Sequence, residues 1–222
     1  MNFIILGIEV LIVFLLILFM YKMGKKDGLY LVLSLFSSVL CIMFFKIINI
    51  FDFDVNMGIP FIIGIFIVNC CIVHRYGMDE VKRIISTFGF SYILSYIVLM
   101  ITTLTVSSDL IDNSYYDVLF GYDLYNIRYF IGGLLSISMI IVMGSNVYDS
   151  IRKNKNNVIF NSIGALFVVL FVESVIFVNV VHVGNYSVVE LFGMIVIRYL
   201  VGVVIGMLGL VPTYLLVKRK DK

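Results

Sequence analysis

Long apolar runs broken at short polar intervals dominate the chain. A helix that crosses a bilayer needs about 20 apolar residues, and by that measure about seven spans are expected, with six the alternative, over 3–21, 29–51, 57–74, 85–106, 125–148, 159–183 and 190–217. The first run lacks a basic leading segment, carries Glu9 and has no small-residue cleavage pattern before Lys22, so it reads as a retained helix rather than a signal peptide. Gly202 and Gly206 make a small-xxx-small pair, and Gly132 and Gly133 adjoin on the fifth span; both suit close helix packing. No linker, repeat or low-complexity stretch divides the chain, so residues 1–222 read as a single transmembrane domain of all-α, polytopic class, one helical bundle.

The polar breaks carry charge in alternation. Basic residues occupy the first break (Lys22, Lys25, Lys26), the third (Arg75, Lys82, Arg83), the fifth (Arg152, Lys153, Lys155) and the tail (Lys218, Arg219, Lys220, Lys222). By the positive-inside rule this places the N-terminus outside and the C-terminus in the cytoplasm, with an odd number of spans, in a cytoplasmic membrane. The fourth break instead collects Asp109, Asp112, Asp117 and Asp123, with Ile111, Tyr115, Val118, Leu119 and Tyr122 at helical spacing. It reads either as an amphipathic helix on the outer surface or as an irregular loop.

Composition confirms the class. The 222 residues are 62% hydrophobic and 14% charged, with a mean hydropathy of +1.10, too apolar for a soluble domain of this size. A net charge of +2 offers no electrostatic footprint for a nucleic acid. Cys41, Cys70 and Cys71 sit in apolar runs and read as packing residues, not as a disulfide framework or metal knuckle. With no Trp, Tyr residues near the span ends, Tyr125 and Tyr186 among them, supply the interfacial belt.

Thirteen of the sixteen basic residues lie in the basic breaks and tail, which leaves Lys46, Arg128 and Arg198 inside spans. Glu9 and Glu173 are carboxylates inside spans, and Asn179 and His182 follow Glu173 along the same helix. An unpaired charge at mid-bilayer costs from ~3 to over ~10 kcal/mol, so Glu173 and Arg198 are expected to face protein or water, as a static pair or as a site. Lys46 and Arg128 lie shallower and either enter a cavity or snorkel to the interface. Asn69 and Cys70 are polar positions within the third apolar run, and His74 at its end reads as interfacial. No metal-ligand spacing, nucleophile elbow or phosphate-cradling glycine loop is present, so no metal, cofactor or catalytic residue is expected and the chain reads as no enzyme.

Taken in order, Gly28-Leu29-Tyr30, Lys46, Gly58, Tyr76-Gly77 with Glu80, Lys82 and Arg83, Arg128, Asn146-Val147, Glu173-Ser174 with Phe177 and Gly184, and then Tyr199, Pro212 and Tyr214 form a pattern. Over essentially its whole length the chain resembles the queuosine precursor transporters, also called the putative vitamin uptake transporter family. It departs from that pattern at Cys70 and His74, where two acids are usual, at Cys41 and Asn146, at Glu173 for an aspartate, and at Gly202 for a lysine. The resemblance implies an importer of a small planar polar solute, a deazaguanine-type base, with Lys46, Glu173, Arg128, Asn69, Cys70 and Arg198 as the expected substrate-binding residues. Glu173 would accept from ring amino and imino groups while Lys46 and Arg128 donate to a carbonyl. The rival expectations are a carrier of another small solute and a non-transporting membrane subunit that keeps the fold.

Overall fold

A computed structural model describes residues 2–50, 53–103, 124–154 and 157–218. The fourth break, over which an amphipathic helix or a loop was expected, lies outside the described residues. The elements are α1 (Asn2–Met43), β1 (Ile47–Ile50), β2 (Phe53–Asn56), α2 (Ile59–Tyr76), a 3-10 turn (Met78–Glu80), α3 (Val81–Thr102), α4 (Leu124–Asn154), α5 (Val158–His182), α6 (Val188–Leu208) and α7 (Leu210–Lys218). Six of these helical stretches are long and apolar enough to cross a membrane.

The first of them is two legs. Lys25 leaves helical geometry at φ 46°, ψ −117°, a left-handed conformation that costs a non-glycine residue roughly 1–3 kcal/mol. At this point the chain doubles back. A Cβ on Gly28 would overlap the Met20 carbonyl, and a Cβ on Gly64 would meet both Val13 from the first leg and Phe36 from the second. At the far end Asn2 Nδ2 donates to the Asn49 carbonyl at 2.8 Å, so the start of the first leg lies beside β1, which follows the second leg. With α1 counted as two legs and α6 with α7 as one stretch, the helical stretches match the seven expected spans in number and order.

The second leg is shorter than expected. Apolar continuity through Ile47, Ile48 and Ile50 extends the sequence reading to residue 51, but the helix ends at Met43 and the β-branched residues that follow pair as an antiparallel hairpin, with Ile48 opposite Val55 and Asn49 opposite Asp54. Asn56 fixes the hairpin to the bundle. Its Nδ2 donates to the Phe44 carbonyl at 2.6 Å and its Oδ1 accepts from the Gly58 amide at 2.7 Å, joining the end of one helix to the start of the next.

The bundle is built around α2, where every residue from Ile62 to Val73 is buried. A helix apolar on all sides belongs in the middle of a bundle. The fold-backs gather Lys22, Lys25, Lys26, Arg75, Lys82, Arg83, Arg152 and Lys153 at one end of the bundle, and the hairpin with the α5–α6 connection at the other. At the basic end Lys26 Nζ and Tyr30 Oη both donate to Glu80, each at 2.7 Å. Arg75 donates to the Leu216 carbonyl at the end of α7 and lies over the Tyr21 ring, tying first leg, α2 and α7 together.

The glycine pair of α6 sets a register with consequences for the site. Cβ atoms at Gly202 and Gly206 would stand 3.3 Å from Leu170 and 2.7 Å from Leu166 of the antiparallel α5. Small residues let the two backbones close at this seam. One turn further along the same seam, Arg198 comes opposite Glu173 and Ser174.

Candidate functional site

At the hairpin end the bundle encloses a cavity of about 110 Å³. Ile47, Asp54, Val55 and Asn56 of the hairpin cover it; Tyr125 and Tyr129 enter from α4, Phe177 and His182 from α5, Tyr186 from the α5–α6 connection, and Arg198 from α6. Helical spacing explains the set. Tyr125 and Tyr129 are one turn apart on one face of α4, as are Met194, Ile197, Arg198 and Val201 on α6.

The aromatic groups make a continuous wall. Tyr129 meets Phe177 edge-on with centroids 5.9 Å apart, and His182 lies edge-on to Tyr129 at 5.8 Å and to Tyr186 at 5.4 Å. Tyr125 and Tyr129 share a hydroxyl contact of 3.1 Å. Such a wall offers flat apolar faces with a few polar groups, the usual make-up of a small-molecule pocket. His182 is nine-tenths buried, and its Nδ1 has no hydrogen-bond partner.

Arg198 and Glu173 close the inner part of the wall. Nε of Arg198 donates to both carboxylate oxygens at 3.1 and 3.2 Å, and Nη2 donates to Oε1 at 2.6 Å. Only 7% of the arginine side chain and 3% of the glutamate side chain are exposed. The guanidinium carbon also stands 3.9 Å from the Phe177 ring centroid, one helical turn after Glu173. Depth explains the pairing: Glu173 lies nine residues before the end of α5 and Arg198 ten after the start of α6, so the antiparallel helices carry them to the same level. Arg198 lines the cavity while Glu173 stands behind it.

The expected site residues divide accordingly. Glu173 and Arg198 come together at the cavity. Arg128 is not in the cavity lining; its Nη1 donates to the Val183 carbonyl at 2.8 Å and caps the end of α5. Lys46, expected inside a span, is exposed, because the helix that would have buried it ends at Met43. Asn69 and Cys70 do not reach the cavity. They lie about 15 Å along α2 from Ile59 at 1.5 Å per residue, and Asn69 is spent on packing: Nδ2 donates to the Ile141 carbonyl at 3.2 Å and Oδ1 accepts from Ser145 at 3.0 Å. Cys70 is buried without exposure that would let a solute reach it. His74 belongs to the opposite end, with Nδ1 2.8 Å from the Tyr148 hydroxyl.

The sequence reading passed over Tyr125, Tyr129, Phe177, Tyr186 and Asp54 as site residues. Tyrosines at span ends read equally well as an interfacial belt, and the i, i+4 spacing of Tyr125 and Tyr129 was the signal that they share a face. Among the described residues no group of three or more His, Cys, Asp or Glu could hold a metal ion.

Comparison with known families decides the class. Residues 56–217 match the model of a family described as putative vitamin uptake transporter. The chain belongs to that family. Both legs of α1 and most of the hairpin precede the matched part, which includes α2 to α6 and nearly all of α7. No curated protein and no solved structure matches the chain. Membership in this uptake transporter family, with the apolar helices, makes the chain a multi-pass membrane protein of a small-molecule transporter class.

Proposed function

We propose that this vitamin uptake transporter family member imports a planar deazaguanine-type queuosine precursor across the cytoplasmic membrane, with the hairpin end outside. The observation that carries the reading is the aromatic-walled cavity ending on Arg198. A flat, polar base needs ring faces to stack on and fixed hydrogen-bond donors for its carbonyl edge. Tyr125, Tyr129 and Tyr186 offer the former and Arg198 the latter. Alternating access would then carry the solute from the hairpin end towards the basic end.

Basic residues gathered at one end of the bundle support the orientation, since such residues are retained on the cytoplasmic side. A second reading, a carrier of another small solute or a subunit that no longer transports, is favoured by Cys70 and His74 in place of the usual acids. The two readings separate in a bacterium that neither makes queuosine nor has its own importer. Supplied with an external deazaguanine precursor and this protein, it is expected to regain queuosine in its tRNA. Correct insertion without recovered modification would favour the second reading.

A further inference from the structure

The charges around the cavity are unequally placed. Arg198 is the cation in the lining, and its charge is met inside the wall by Glu173, which takes Nε and Nη2 and does not itself face the cavity. This leaves Nη1 as the part of the guanidinium with no hydrogen-bond partner among the described residues. Asp54, on the hairpin, lines the opposite side. Its hydrogen bond comes from the neutral amide of Asn49 at 3.4 Å, and no described cation pairs with it. Lys46 and Arg128 stand outside the lining, and Arg128 is engaged by the Val183 carbonyl. The cavity and its immediate backing thus set two carboxylates, Glu173 and Asp54, against the one Arg198 guanidinium, between tyrosine rings whose faces attract cations and repel anions.

We infer that the cavity is a charge filter that accepts planar solutes of zero or positive charge and rejects anions of the same shape. Glu173 is the positioning residue that sets this filter, not a ligand of the solute. It holds the guanidinium over the Phe177 ring and cancels its charge, so Nη1 acts as a hydrogen-bond donor to a neutral carbonyl instead of as a bare cation. Asp54 supplies the acceptor for an ammonium arm. The inference rests on the proposed reading that this cavity is the solute site.

The test is competition against uptake of labelled 7-cyano-7-deazaguanine by cells expressing the protein, using analogues that differ only in the 7-substituent: carboxamide, aminomethyl and carboxylate. Carboxamide and aminomethyl are expected to compete, and the carboxylate, which has nearly the shape of the carboxamide, to compete at least about tenfold more weakly. Glu173→Gln uncovers the arginine charge and should shrink the gap between carboxylate and carboxamide by about the same factor. Asp54→Asn, on the exposed hairpin, should weaken aminomethyl relative to carboxamide. If Glu173→Gln does not accumulate, the ratio in the unmodified protein decides alone. A carboxylate that competes as well as the carboxamide overturns the filter while leaving carriage of the base intact. If none of the uncharged compounds is carried, the proposed function fails and the filter with it.

Discussion

At the scale of single residues, the Glu173–Arg198 pair shows how much a buried charge reveals. Both stood out in the sequence because ionised groups in apolar runs are costly, and their matching depths made pairing foreseeable. What the sequence could not convey is which partner faces the cavity, since that depends on how the side chains lie. Removing one member of a buried pair strands the other, so Glu173→Gln or Arg198→Gln alone is expected to destabilise the protein by about 3–5 kcal/mol, with much of the loss recovered in the double variant. Thermal unfolding in detergent measures this, and additive losses would show that the two do not interact. A second residue speaks through pH. The Lys26 ammonium and then the Tyr30 hydroxyl, both bonded to Glu80 in the turn at the basic end, hold its carboxyl below the ordinary value of 4.5. A carboxyl held down in the folded state contributes stability that is complete above its unfolded value and is lost as pH falls through the folded one. The melting difference between the protein and Glu80→Gln should therefore be greatest at neutral pH and shrink once pH drops below 4.5; a difference independent of pH would contradict the contact.

Among the elements, the helices were legible and the hairpin was not. Apolar runs of bilayer length have few alternatives, but a short β-branched run joined to a helix cannot be told from more helix by hydrophobicity alone. That ambiguity extended the second span to residue 51, buried Lys46 on paper, and concealed the strands that bring Asp54 and Asn56 over the cavity. The α5–α6 seam was easier, because Gly202 and Gly206 announce close packing. Their register against Leu170 and Leu166 is also what levels Arg198 with Glu173. Gly202→Leu should force the helices apart at a cost of about 1–3 kcal/mol and reduce uptake by parting the ion pair. Leu170→Ala in the same protein should restore room and part of the activity. Uptake unaffected by Gly202→Leu would mean that the seam does not position the site.

For the whole molecule, the alternating loop charges carried the most information, since they pointed to an odd number of crossings before any contact was known. The structure gathers those of the same charges that lie among the described residues at one end of the bundle, and thiol chemistry can read which membrane face that end occupies. Cys41, Cys70 and Cys71 are buried, so introduced thiols can be read against a low background. An impermeant thiol reagent applied outside is expected to label Asn185→Cys at the hairpin end and not Asp79→Cys at the basic end; the reverse would invert the orientation. Solute carriage through the Arg198 cavity is tested most directly by uptake of labelled 7-cyano-7-deazaguanine into liposomes holding the purified protein or its Glu173→Gln, Arg198→Gln double variant. Saturable uptake by the unmodified protein, abolished in a double variant that remains folded, is the expected result. Equal uptake by both would remove the solute site from this cavity, and no uptake by the unmodified protein would contradict the deazaguanine reading itself.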